Sequence, residues 1–127
     1  PAPVAEGPAP NPGDLISEVE AAVETGDPAA VHEVVLRAVV ALRRAGLLDA
    51  AVDACQLGLT VSPADPDVHL ALAELALDHG WIDMAADKLA ILGRFVELTA
   101  DEPARQRLCA IVSERFPEDP RLTAICA

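Results

Sequence analysis

The stretch DHGWIDMAA, Asp78 to Ala86, gathers the chain's single Trp, its single Met, one of its three His and two Asp into nine residues. Such a cluster invites reading as a reactive or metal-binding centre. A second stretch upstream argues otherwise: in RAGLLDAAV, Arg44 to Val52, Gly46, Asp49 and Ala51 stand at the spacing of Gly80, Asp83 and Ala85, 34 residues earlier. Both segments place one glycine between two apolar-periodic runs. Glycine adopts the left-handed backbone that ends a helix at little steric cost, so DHGWIDMAA reads as a turn between two helices.

The rest of the composition agrees with helices. Of 127 residues, 52% are hydrophobic but only 2% aromatic, so the core is built from Ala, Leu, Val and Ile. Ala and Leu are the strongest helix formers. The formal charge is −12, from 21 acids against 9 bases. Nucleic-acid affinity rests on Lys and Arg, and attraction to anionic membranes needs the same residues, so neither is expected as a partner. No run approaches the length of an apolar spanning helix, and no basic-then-apolar leader opens the chain. Three cysteines at wide spacing suggest neither a disulfide framework nor a zinc set, which points to a reducing, cytoplasmic setting. The chain opens at Pro1 without Met and is read as a piece of a longer protein.

Residues 1–13, PAPVAEGPAPNPG, hold five Pro and two Gly and read as a flexible linker. A helical domain over 14–127 follows. Asp14 is the expected first N-cap, and Leu15, Ile16, Val19, Ala22 and Val23 recur at helical spacing to about Thr25. Further helices are expected from Pro28 to Gly46, Leu48 to Val61, Pro66 to Gly80 and Ile82 to Leu98. Another runs to Phe116 behind Asp101 or Thr99, and PEDP separates it from a short last helix in RLTAICA. Strand alternation and hairpin dipeptides are absent. The fold class is all-α, with about six to seven helices.

A 34-residue period of helix, turn and helix resembles the tetratricopeptide repeat (TPR) family. Residues 32–65 resemble one unit, with Gly46 at the turn, Ala51 where the second helix crosses the first, Cys55 four residues on and Pro63 at the close. Residues 66–99 resemble a second, with Leu72 and Ala73 at the family's Leu-Gly step, Gly80 at the turn, Ala85 at the crossing and Leu89 beyond. His69, Ala76 and Glu97 stand where the family prefers Trp, Tyr and Pro, and a third unit from about Ala100 is recognisable only as a helix pair. The resemblance implies a right-handed α-solenoid of antiparallel helix pairs. An unrelated helical repeat or bundle is the alternative.

Catalytic and metal chemistry find little support. His69 and His79 lie ten residues apart on one helix and point in different directions. Cys55 and Cys109 sit in the apolar stretches ACQLGL and LCAIV of an acidic protein, poor surroundings for a thiolate. The glycines are isolated and form no phosphate loop. No enzyme activity, cofactor or metal is expected.

In the TPR family the first helix of each unit lines a concave groove. That carries Leu36, Arg37, Val40, Arg43 and Arg44 to the groove from one unit, and Asp67, Leu70, Ala71, Glu74, Leu77 and Asp78 from the next. Leu36, Val40, Leu70 and Leu77 would make its floor, with Arg37 and Arg44 selecting an acidic neighbour. The segment from Val31 to Leu42 has almost no polar face, and a helix apolar nearly all round is covered on nearly all sides. The expected function is a protein-interaction scaffold or adaptor that takes a peptide or helix of a partner. The alternative is a structural spacer or self-association module. It follows from Leu122, Ile125 and Cys126, which would leave an apolar end exposed for homo-oligomerisation through the C-terminal helices. If PEDP joins antiparallel helices, Cys109 and Cys126 face each other. Facing positions on packed helices can approach the distance a disulfide requires, so a bridge is geometrically possible, but two free thiols in contact are expected, because cytosolic chains rarely keep disulfides and cysteine is commonly buried as a small apolar residue.

Overall fold

The computed structural model describes residues 11–127. Most of the Pro-rich leader, residues 1–10, lies outside them. Among the described residues the structure is all-helical, with seven helices and no strand. The chain divides into two compact units, one ending at Pro63 and the other running from Ala64 to Ala127.

The first unit holds α1 (Pro12–Thr25), α2 (Pro28–Arg44) and α3 (Leu48–Leu59). α1 starts two residues before the expected cap: Asn11, not Asp14, accepts hydrogen bonds from the backbone N–H of Gly13 (2.8 Å) and Asp14 (3.3 Å). Pro12 and Gly13, assigned above to the linker, therefore belong to the helix. Proline suits a first helical position because its missing N–H would have had no partner there.

The same cap-then-Pro device opens α2 at Asp27-Pro28, with the Asp27 carboxylate 3.1 Å from the N–H of Ala29. α1 packs on both α2 and α3. Val31, Val35, Ala38 and Leu42 form the buried stripe of α2, and Ala51, Ala54 and Cys55 that of α3. Gly58 lets α3 approach α2 closely, since a Cβ at that position would lie 2.8 Å from Val35 Cγ2.

The second unit holds α4 (Pro66–Asp78), α5 (Ile82–Leu98), α6 (Glu102–Arg115) and the short α7 (Pro120–Thr123). Asp65-Pro66 and Asp119-Pro120 repeat the cap-then-Pro start, while Asp101 caps α6 through the N–H of Ala104 at 3.1 Å. α5 packs against α4, α6 and α7. One core joins Leu70, Ala73, Ala76 and Leu77 of α4 to Ala85, Leu89 and Leu92 of α5, and both to Leu108, Val112, Phe116 and Leu122. Leu122 is fully buried, and Ile125 and Cys126 pack on the same cluster. The apolar end expected to be exposed is instead folded back onto its own unit.

Cys109 and Cys126 are joined by a disulfide across Cα atoms 5.6 Å apart, so the expectation of two free thiols is corrected. The turn after Phe116 brings α6 and the C-terminal segment to within bridging distance. Of the three cysteines only the buried Cys55 is outside a disulfide. With two of the three cysteines bonded, the cysteines do not point to a reducing compartment.

Candidate interaction surface

The glycine turns after α2 and α4 repeat bond for bond. Gly46 has φ 76° and Gly80 φ 82°. Leu47 N–H donates to Leu42 O and Trp81 N–H to Ala76 O, each at 2.9 Å, while Gly46 and Gly80 donate to Arg43 O and Leu77 O at 3.0 and 2.9 Å. This pair of bonds, six-to-one outside five-to-two, is a Schellman motif. Ala51 and Ala85 follow at the same offset, both fully buried. DHGWIDMAA is thus a helix-ending turn, with the His79 ring stacked on Trp81 at a centroid separation of 4.2 Å and an interplanar angle of 8°.

The residues read as groove-lining divide into two sets. On α2, Leu36 and Arg43 are half-buried, Arg37 and Arg44 are exposed, and Val40 is 48% exposed. Arg37 pairs with Glu33 at 3.4 Å and with Glu18 of α1 at 3.7 Å. These exposed pairs are individually weak. On α4 the expectation fails in part: Leu70, Ala71 and Leu77 are only 4%, 7% and 6% exposed. Leu70 and Leu77 belong to the core of their own unit and are not available as a floor for a partner. Asp67 is half-buried in a salt bridge to Arg107, Glu74 is half-buried and Asp78 is exposed. His69 Nδ1 lies 2.9 Å from Lys88 Nζ, which ties α4 to α5.

The largest exposed apolar side chains lie elsewhere. Trp81, Ile82, Met84, Ile91 and Leu98, all at or on α5, are 44–84% exposed. Met84, Ile91 and Leu98 are seven residues apart and share one face, spanning about 21 Å at the α-helical rise. Ala85, Leu89, Leu92 and Val96, which turn into the core, occupy another face. α5 therefore has two apolar faces, one packed and one open. Asp87 and Arg94, both exposed, border the open one. Asp87 accepts a hydrogen bond from Arg121 at 2.9 Å, which raises the Arg121 pKa above its usual value, with Asp119 adding to the effect.

Reading α5 from its sequence missed this stripe, although its heptad spacing was visible there. Periodicity shows that residues share a face, and only packing shows which face is covered.

The chain matches no protein-family model, no curated protein and no solved structure with which it was compared. Among the described residues no helix is long and apolar enough to cross a membrane.

Proposed function

We propose that this chain is a non-enzymatic protein-interaction module, an adaptor or scaffold piece, whose main contact surface is the open face of α5. The observation that carries the reading is the stripe of Met84, Ile91 and Leu98, at 58%, 72% and 84% exposure. Scattered exposed apolar residues are ordinary, but several large ones aligned on one helix mark an interaction site, and an amphipathic helix face recruits a complementary helix. The resemblance of α2–α3 and of α4–α5, each by itself, to a TPR-like helix pair is kept in this proposal. It is supported by the turn that recurs at 34 residues with matching hydrogen bonds and left-handed glycines.

A second contact face is proposed on α2, where Val40 lies exposed near Arg37 and Arg44. An acidic partner would there compete with Glu18 and Glu33 for Arg37.

The test is a photo-crosslinking amino acid at position 91, compared with one at the exposed position 114 of α6, in cells making the protein. A discrete adduct at 91 and none at 114 is expected. No adduct at 91 overturns the reading.

A further inference from the structure

The geometry points to a second copy of this chain as the occupant of the open α5 face, docked antiparallel so that the two α5 helices form a short two-stranded coiled coil. The inference rests on the interaction reading above and names its partner.

Trp81, Met84, Lys88, Ile91, Phe95 and Leu98 alternate at spacings of three and four. These are the a and d positions of a heptad seam, with Trp81, Lys88 and Phe95 at a and Met84, Ile91 and Leu98 at d. All but Lys88 are apolar. Phe95 and Lys88 are half-buried at the edge of the stripe and the other four are exposed. The seam thus continues outward from the core as a second ridge.

Self-complementarity selects the occupant. A two-fold axis perpendicular to α5 between residues 89 and 90 sets Trp81 against Leu98 of the second copy, Met84 against Phe95 and Lys88 against Ile91. The outer pairs, Trp81 with Leu98 and Met84 with Phe95, are then apolar on both sides and recur on both sides of the axis, as an isologous interface requires, while at the centre Ile91 meets the aliphatic stem of Lys88. The same register brings Asp87 beside Arg94 of the second copy, and Arg94 beside its Asp87, giving two symmetric charge pairs at the flanking g positions. A parallel arrangement in register would instead set like charges at equivalent positions. Arg121, hydrogen-bonded to Asp87, adds positive charge at the same rim. Lys88 is the one polar residue within the seam. Its Nζ is turned toward His69 of its own unit, and a single polar a position restricts register while weakening association.

Sedimentation of the purified chain over a concentration series should show a reversible monomer–dimer equilibrium. Ile91→Glu, at a site exposed enough to leave the fold intact by circular dichroism, should weaken it at least tenfold. Asp87→Arg and Arg94→Asp should each weaken it, and the double variant should recover most of the loss. Register is read with Met84→Cys and Leu98→Cys and a short bismaleimide. In the antiparallel seam each variant alone leaves its thiols about 17 and 25 Å apart along the axis, so only the mixture cross-links.

A monomer at every concentration, a dimer indifferent to Ile91→Glu, or cross-linking of each variant with itself overturns the proposal. An adduct at position 91 to a different protein, with the purified chain monomeric, removes the second copy and leaves the interaction reading standing. No adduct of any kind removes both.

Discussion

Ile125 lies directly over Gly93, so that a Cβ added to residue 93 would collide with the Ile125 side chain. The C-terminal segment reaches this place through three ties. Cys126 is bonded to Cys109, Leu122 is buried in the core, and Arg105 donates a hydrogen bond to the Ile125 carbonyl at 3.0 Å.

Gly93→Ala should therefore destabilise the second unit by about 1–3 kcal/mol, as overpacking does. In an Ile125→Ala background the same substitution should change sign. With the collision removed, alanine regains the roughly 0.5–1 kcal/mol that glycine loses within a helix. Thermal unfolding of the four variants in a double-mutant cycle checks this, and additivity would count against the contact.

The disulfide closes a loop of sequence separation 17. The chain-entropy argument assigns such a loop about 3 kcal/mol. Cys126→Ser should lower stability by roughly that amount while the helical content of residues before Phe116 persists. Thiol titration of the denatured, unreduced protein should find one free thiol, Cys55, and three after reduction. Three before reduction would remove the bridge.

Ala100 ends α5 with φ 53°, the only non-glycine among the described residues with positive φ. Its turn repeats the pattern at Gly46 and Gly80, with Asp101 N–H donating to Val96 O at 3.0 Å. An L side chain in this region costs roughly 1–2 kcal/mol. Ala100→Gly should stabilise the protein by up to about 1 kcal/mol, against the usual sign of alanine-to-glycine changes. Gly80→Ala should destabilise it by a similar amount, although open space surrounds the added methyl. Chemical denaturation midpoints decide both.

Leu77→Asp and Val40→Asp separate core from surface. Leu77 is in the second unit's core, so an unpaired carboxylate there should unfold that unit, a loss of several kcal/mol. Val40, nearly half exposed, should tolerate the same change within about 0.5 kcal/mol. Circular dichroism melts of the two variants suffice.

Helix positions and their stops were legible in the sequence because they depend on neighbours in the chain. Asp27, Asp65 and Asp119 each stand before a Pro and cap the helix that follows, and Gly46 and Gly80 terminate helices through bonds made within six residues. The displaced first cap, Asn11 for Asp14, is a local error of the same kind: two capable side chains competed, and the one preceding Pro12 prevailed.

Other features depend on which faces meet. α4 and α5 are apolar over so much of their circumference that spacing alone gives no unique inward direction. Leu70 and Leu77 read as groove floor but pack as core, while Ile91 and Leu98 could equally be core from their spacing and remain outside it. The facing of Cys109 and Cys126 across the PEDP turn was legible in the sequence, and only the folded chain shows the two sulfurs bonded. Local hydrogen bonding determined where the helices are, and tertiary packing decided which of their apolar faces remained open, because burying one face of a helix withdraws it from water and leaves the opposite face for another molecule.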